Sequence, residues 1–166
     1  MTQLSPPQSR LLATARVGHL ATADATGVPH VIPVCYAFDG RVIYSVLDQK
    51  PKRISIKRLR RVRNILANPK VALVVDHYEE DWGRLWYILV TGEAALLPAG
   101  DEQAGAVGLL REKYQQYREM AIDQNPVIKI TPTKVVSWGT GMASGGHPQS
   151  PGRRGIAPSA LPPGQF

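Results

Sequence analysis

The chain has 166 residues, a length typical of one domain. Apolar residues make up 43% and charged residues 20% of the sequence, which excludes a mainly disordered or collagen-like chain. The single cysteine, Cys35, excludes a disulfide framework and a multi-cysteine zinc or iron–sulfur site. No apolar run approaches the roughly 18–20 residues that cross a bilayer, and the first residues lack the pattern of a signal peptide. We therefore expect a cytoplasmic protein with no membrane partner.

The positive charge of the chain is concentrated in one segment. The formal net charge is +7, and eight of the twenty Lys and Arg residues fall between positions 50 and 63 with no acidic residue among them. They are Lys50, Lys52, Arg53, Lys57, Arg58, Arg60, Arg61 and Arg63. The rest of the chain carries a net charge of −1, so this distribution indicates a localised anionic partner.

The first third of the chain predicts one helix and three strands. The helix covers residues 8–16, with Ser5 as its cap and Pro6 in the first turn. The strands cover residues 17–23, 28–38 and 41–47, separated by a turn at 24–27 and an Asp39-Gly40 hairpin signal. Connections this short predict an antiparallel meander.

The basic segment runs into the clearest predicted helix, residues 55–68. Leu59, Val62 and Leu66 share one face at helical spacing. A second face carries Lys57, Arg60, Arg61 and Asn64. Asn68-Pro69 ends the helix, because the residue before a proline disfavours helical geometry.

The remaining elements complete a mainly β (α+β) fold. Strands are predicted at 70–76, at 85–97 with Gly92 as a bulge, and at 127–138, where Pro132 indicates an edge or a bend. A third helix runs from about residue 101 to about residue 117. Six strands and three helices in this order predict a small antiparallel barrel with helices packed outside, formed by residues 1–138. Gly and Pro supply 12 of the residues 139–166, which predicts a flexible tail.

The basic segment favours a phosphate-bearing ligand. Lys52 and Arg53 near a helix start oppose the helix dipole unless an anion lies beside them. A phosphate accepts bonds from charged donors and backbone N–H groups together. A solvated helix face and a nucleic-acid site remain alternatives, although no recognition-helix, zinc or aromatic RNA-binding motif accompanies the cations.

Several short motifs in fixed order resemble a known superfamily. They are Arg16-Val-Gly-His-Leu-Ala-Thr22, Gly27-Val-Pro-His-Val-Ile-Pro33, Asp48-Gln-Lys-Pro-Lys-Arg53, Arg60-Arg-Val-Arg-Asn64, Asn68-Pro69, Val74-Val-Asp76 and Asp81-Trp-Gly-Arg-Leu-Trp86. Over residues 5–138 the chain resembles the split-barrel flavin-binding proteins of the pyridoxamine-phosphate oxidase type. The deazaflavin (coenzyme F420)-dependent branch is the most similar.

The resemblance implies a homodimer with the cofactor in a groove between the two chains. The phosphate would be bound by residues of the basic segment, namely Lys50, Lys52, Arg53, Lys57, Arg60, Arg61 and Asn64. The ring would be lined by Pro33, Val34, Cys35, Tyr36, Tyr44, Ser45 and Val46. Members that oxidise vitamin B6 end in an ordered arginine-containing segment, whereas this chain ends in Ser159-Ala-Leu-Pro-Pro-Gly-Gln-Phe166, which argues against that substrate.

The resemblance implies an oxidoreductase that transfers a hydride between coenzyme F420 and a small organic substrate, with FMN as the alternative cofactor. Eight cations exceed the two to four that one phosphomonoester would need, which favours the longer polyanionic tail of coenzyme F420. The proton would come from solvent or from a tyrosine such as Tyr44. The competing hypothesis is a non-catalytic module that binds a flavin, haem or nucleic acid.

Other candidate sites are weaker. His19, His30 and His77 lack ligand spacing to another His or Cys, so no metal site is expected. Cys35 lies within a predicted strand and reads as a small core residue. Residues 139–145 have the wrong spacing for a dinucleotide fingerprint. Trp82, Trp86 and Tyr87 are expected to pack in the barrel or its interface.

Overall fold

A computed structural model, which describes residues 4–48 and 56–139, shows one seven-stranded antiparallel sheet flanked by helices. The strands are β1 (Gly18–Ala23), β2 (Pro29–Val34), β3 (Ala37–Phe38), β4 (Ile43–Val46), β5 (Lys70–His77), β6 (Trp86–Leu97) and β7 (Val127–Gly139). The helices are α1 (Pro6–Thr14), α2 (Arg60–Ala67), α3 (Asp101–Lys113) and α4 (Gln116–Glu119). The strand order is β2-β1-β5-β6-β7-β4-β3, and every neighbouring pair is antiparallel. The predicted fold class is confirmed.

The sheet curls until its two edges meet. β2 and β3 lie at opposite edges of the sheet, yet β2 ends at Val34 and β3 begins at Ala37. Three chain steps span at most about 11 Å, so the edges must come that close. The predicted strand 28–38 is therefore two strands, and the sheet has seven strands instead of six. The predicted antiparallel pairings of consecutive strands are confirmed, since β1 pairs with β2 and β3 pairs with β4, but the two pairs lie at opposite edges of the sheet and do not form one continuous meander.

The main core lies inside the curled sheet. It includes Leu20, Leu73, Ile88 and Ile130, all at most 1% exposed. α1 contributes Leu12 to this core, and α2 contributes Val62 and Ile65. A second cluster lies outside the sheet, where α3 and α4 cover β3, β4 and the start of β7.

The helix signals are confirmed with shifted boundaries. Ser5 forms a capping box with Gln8, so α1 begins at Pro6 and ends at Thr14, two residues earlier at each end than predicted. α2 is shorter than the predicted helix 55–68, because a 3-10 turn, Ile56–Arg58, precedes it. The predicted third helix is interrupted at Tyr114, the C-cap of α3, and continues as α4.

The predicted turns and bulge are confirmed. Gly27 and Gly40 both have positive φ angles, +88° and +99°, which glycine adopts without strain. The register of β6 against β7 shifts between Thr91 and Gly92, which lies opposite Pro132. Pro132 therefore marks a bend in a central strand, and the alternative expectation of an edge strand is wrong. Of the predicted tail, Gly139 is the last residue of β7 and the rest lies outside the described residues.

Candidate functional site

The helix α2 and the turn before it present arginines to solvent. Arg58, Arg60 and Arg63 are all exposed, and we call these three residues the cationic face. Within residues 4–48 and 56–139, none of them forms an ion pair within 4.0 Å. The positive charge that the sequence concentrates here therefore stays uncompensated on the described surface. Lys50, Lys52 and Arg53 lie outside the described residues, and Lys57 belongs to the turn Ile56–Arg58.

Asp24, an acid influenced by the charge of Arg60, is engaged in a turn. The Asp24 carboxylate accepts bonds from Thr26 N (2.9 Å), Thr26 Oγ1 (2.7 Å) and Val28 N (3.0 Å). These bonds, the Thr26 hydroxyl first, lower the pKa of Asp24, and the charge of Arg60 adds to the effect. Asp24 thus stays ionised and serves the hairpin turn without pairing directly with Arg60.

Arg61 differs from its neighbours because it is half-buried. Partial burial lowers the pKa of Arg61. The charges of Asp48 and Tyr117 act in the opposite direction and raise this pKa. Asp48 in turn accepts a bond from Tyr117 Oη at 3.4 Å. Arg61 is therefore partly buried near Asp48 and Tyr117, whereas Arg60 is exposed. Asp48 and Tyr117 were not predicted as neighbours of Arg61. Asp48 is the first residue of one of the motifs that carry the family resemblance, but Tyr117 belongs to none of them.

Asn64 is not on the exposed flank predicted for it. Its side chain is 3% exposed and donates to Thr22 Oγ1 at 3.0 Å, which fixes α2 to β1. Val62 and Ile65 lie on the same buried side, while Leu66 is 69% exposed, so the predicted apolar face is also wrong at Leu66. The physical reason is that the Thr22 hydroxyl on β1 accepts a hydrogen bond from the buried Asn64 amide. Asn64 therefore occupies the buried side of α2, where the apolar periodicity of the sequence had placed Leu66.

The predicted ring-lining residues divide into accessible and buried sets. Pro33 is exposed and Val34 and Cys35 are partly buried, whereas Tyr36 is fully buried and donates to Leu12 O at 2.7 Å. In β4, the side chains of Tyr44, Ser45 and Val46 are all at most 6% exposed. The structure does bring the two segments together, since Ser45 Oγ donates to Cys35 O at 2.8 Å.

Tyr44 lies beneath α3. Its hydroxyl donates to Glu102 Oε1 at 3.1 Å and lies 3.4 Å from Asp39 Oδ2. Burial, followed by the neighbouring charge of Asp39, raises the pKa of Tyr44. This phenol is engaged inside the protein, which is a poor position for a proton donor to an external substrate.

A buried lysine near Cys35 was not predicted. Lys113 Nζ is buried without a hydrogen-bond partner among the described residues, 4.1 Å from the ring centroid of Tyr36 and 5.6 Å from that of Tyr114. Burial, then the charge of Arg16, lowers the pKa of Lys113 to about 8. No sequence pattern indicates this burial, because a lysine in the last turn of a helix ordinarily lies in solvent.

Part of the outer face of the sheet, away from α3 and α4, has no helix over it in the described parts of the chain. Val74, Leu89 and Val136 lie opposite one another on β5, β6 and β7, and Val31 on β2 is 58% exposed. We call these four residues the open sheet face.

The residues described contain no group of three or more His, Cys, Asp or Glu side chains able to hold a metal ion. None of the helices described is long and apolar enough to cross a membrane.

Residues 5–139 match the family model of pyridoxamine 5'-phosphate oxidase. The chain belongs to this family. The match confirms the resemblance to proteins of the pyridoxamine-phosphate oxidase type that was drawn from the sequence motifs.

Similar proteins include enzymes and a haem protein. The chain is 31% identical over 126 residues to the 5a,11a-dehydrotetracycline/5a,11a-dehydrooxytetracycline reductase of Streptomyces rimosus, covering 74% of this chain and 73% of the relative. A solved F420 reductase is 24% identical with a TM-score of 0.56, covering 77% of this chain and 94% of that one. HutZ, the heme storage protein of Vibrio cholerae, is 14% identical with a TM-score of 0.61, covering 83% and 95%. At these identities the two solved structures establish a shared fold.

Proposed function

We propose that this protein is an oxidoreductase that uses the deazaflavin coenzyme F420, with FMN as the alternative, to transfer a hydride to or from a small organic substrate. The family and the reductase relative support an oxidoreductase with a flavin-type cofactor. The observation that carries the proposal is the cationic face, whose three arginines have no acidic partner among the described residues. The phosphate and the tail carboxylates of the cofactor would supply the missing negative charge.

The cationic face suits an extended anion. Arg60 and Arg63 are one helical turn apart on an exposed side of α2, and Arg58 is exposed in the turn that precedes this helix. A single phosphate would occupy one or two of them, and a chain of carboxylates could occupy all three. Lys50, Lys52 and Arg53 belong to the same basic segment in the sequence, and we assign them the same role.

The residues of the chain would bind and orient, while the bound cofactor supplies the hydride chemistry. Pro33, Val34 and Cys35 are the accessible members of the predicted ring-lining set. We do not assign Tyr44 as the proton donor, because α3 covers it and its hydroxyl donates a hydrogen bond to Glu102. Solvent remains the proton source.

We further propose that a second copy of the chain covers the open sheet face. Val31, Val74, Leu89 and Val136 form an apolar surface that a two-fold partner would bury. This arrangement agrees with the homodimer implied by the sequence resemblance. A sedimentation measurement that finds a monomer with tightly bound cofactor would contradict it.

Binding measurements on charge-matched variants test the cofactor assignment. Arg60→Ala with Arg63→Ala removes two charges from the cationic face. Arg10→Ala with Arg41→Ala removes two exposed charges elsewhere and is the control. Since each charge-assisted contact contributes about 1.5 kcal/mol or more, the first variant should bind coenzyme F420 at least tenfold more weakly and the control should bind as wild type.

The same titration distinguishes the alternatives. Wild-type protein is titrated separately with coenzyme F420, FMN, haem and duplex DNA. Saturable binding of haem or DNA alone would contradict the proposed oxidoreductase. Equal affinity of the two double variants for the deazaflavin would show that the cationic face is not its phosphate site.

A further inference from the structure

Two cations lie close together near the place where the two edges of the sheet meet. Arg16 lies in the connection between α1 and β1, and Lys113 is the last residue of α3. Arg16 Cζ is 4.9 Å and Lys113 Nζ is 5.6 Å from the ring centroid of Tyr114. We call Arg16 and Lys113 the paired cations. Burial and then the charge of Arg16 lower the pKa of Lys113, so the two charges repel each other.

Acidic side chains do not compensate the paired cations within residues 4–48 and 56–139. Neither cation forms an ion pair within 4.0 Å there. The one neighbour that raises the pKa of Lys113 is Cys35, and none of its influences comes from an Asp or Glu. Buried charges in proteins are ordinarily paired, because a desolvated charge without a partner is costly.

The surrounding tyrosines attract the lysine charge but offer no hydrogen-bond acceptor. Lys113 Nζ lies 4.1 Å from the ring centroid of Tyr36. The Tyr36 hydroxyl donates to Leu12 O at 2.7 Å, and the Tyr114 hydroxyl donates to the main-chain carbonyls of Arg16 and Tyr36, both at 2.8 Å. An ammonium group has three N–H donors, and Lys113 Nζ has no acceptor among the described residues. The missing acceptor is the feature that points to a ligand.

The position of the paired cations suits a carboxylate. Arg16 is exposed, while Lys113 and Cys35 are partly buried, so a guanidinium group at the surface lies near an ammonium group beneath it. A guanidinium group binds the two oxygens of a carboxylate side by side, and the ammonium group is a point charge that adds to this bond. A phosphate dianion would lose more hydration than a carboxylate on reaching a buried amine, which favours the singly charged ligand.

The paired cations are separate from the cationic face. Asn64 fixes α2 to β1 at Thr22, whereas Arg16 precedes the start of β1 at Gly18. Positions 18 and 22 are about 13 Å apart along an extended strand. The paired cations therefore form a second positive site, beside the other end of β1.

We propose that Arg16 and Lys113 bind the carboxylate of a small organic molecule. Under the proposed function, on which this step rests, that molecule is the substrate, and its class is the small organic acids. Cys35, which influences Lys113, belongs to the accessible segment that we assign to the cofactor ring, so a carboxylate bound here lies beside that segment. The carboxylate site itself does not depend on the identity of the cofactor.

NMR of the lysine side chains tests the site directly. The Lys113 Cε signal of wild-type protein is assigned by its loss in Lys113→Met. It is then followed during titrations with acetate, with the neutral analogue acetamide and with inorganic phosphate, at constant ionic strength. We expect a saturable change with acetate, none with acetamide, and at least tenfold weaker binding of phosphate. No saturable change with acetate, an equal response to acetamide, or tighter binding of phosphate would overturn the proposal.

The pKa of Lys113 is a second readout. A bound carboxylate stabilises the charged amine, so saturating acetate should raise this pKa from about 8 toward 10.5. Arg16, Cys35, Tyr36 and Tyr114 are the charged and titratable groups around it; burial raises the pKa of both phenols, and titration in a Cys35→Ser protein removes the thiol. A pKa that acetate leaves unchanged would contradict the proposal.

Variants separate the paired cations from other positive charges. Arg16→Gln should weaken acetate binding at Lys113 at least threefold, while Arg10→Gln, which removes an exposed arginine of α1, should leave it unchanged. Equal effects of the two variants would contradict the site. A protein that binds coenzyme F420 but not acetate at Lys113 would refute this inference alone. Binding of acetate without any cofactor binding would support the carboxylate site and overturn its role in the proposed reaction.

Discussion

Gly92 allows β6 and β7 to approach closely at the bulge. A Cβ atom at this position would lie 2.4 Å from Thr131 O, 3.1 Å from Thr131 C and 3.2 Å from Pro132 Cα. All three are backbone atoms between central strands, so the clash cannot be relieved by a rotamer change. Moving the carbonyl oxygen to an ordinary contact distance requires a shift of about 1 Å, and overpacking of this kind costs about 1–3 kcal/mol. Gly92→Ala should lower the free energy of unfolding by about 3 kcal/mol, the upper part of that range.

Urea denaturation followed by tryptophan fluorescence measures this loss. Gly105→Ala is the matched control, because a Cβ there meets nothing within 4 Å and the residue lies inside α3. Alanine is favoured over glycine within a helix, so the control should gain about 0.5–1 kcal/mol. A Gly92→Ala protein as stable as wild type would refute the reasoning that the bulge requires glycine.

Two further predictions concern buried polar groups. A fall of the Lys113 pKa from 10.5 to about 8 corresponds to a cost of about 3.4 kcal/mol for keeping the ammonium group charged in the folded protein. Solvent screening and attraction to the Tyr36 ring reduce this cost to about 1 kcal/mol. Since the unfolded chain holds this proton more tightly, the cost is complete below pH 8 and vanishes as pH rises toward 10.5. Lys113→Met should thus raise the unfolding free energy by about 1 kcal/mol at pH 7 and by little at pH 10; a loss of stability at pH 7 in urea titrations would contradict this. Tyr117→Phe removes the bond to Asp48 and should cost about 1 kcal/mol by the same assay, whereas a neutral result would show that the bond is not stabilising.

Local signals in the sequence predicted local structure well. Ser5 with Gln8, Asp39 before Gly40, and Gly92 each specify a cap, a turn or a bulge through their own backbone chemistry. These features depend on residues a few positions apart, or on a single residue, so a sequence pattern is sufficient to predict them. Short connections also predicted that β1 pairs with β2 and that β3 pairs with β4, but they did not predict the order of the whole sheet.

Features that depend on distant partners were not predictable. Residues 28–38 look like one strand in the sequence. Nothing in this pattern shows that Val34 ends a strand at one edge of the sheet and that Ala37 begins a strand at the other edge. Asn64 is buried because Thr22, 42 positions away, accepts its bond. Tyr44 lies inside because α3 covers it, which a two-residue period cannot report. The basic segment was recognised because charge is a property of composition. That Arg60 is exposed while Arg61 is partly buried near Asp48 could not be predicted in this way.

The central claim is that the chain binds a phosphate-bearing flavin-type cofactor through its basic segment. Isothermal titration of wild-type protein with coenzyme F420 over a range of salt concentrations tests it most directly. The account predicts one cofactor bound per protomer, with a Kd that rises as salt screens the arginine–anion contacts. Absence of saturable binding, or a Kd independent of salt, would contradict it.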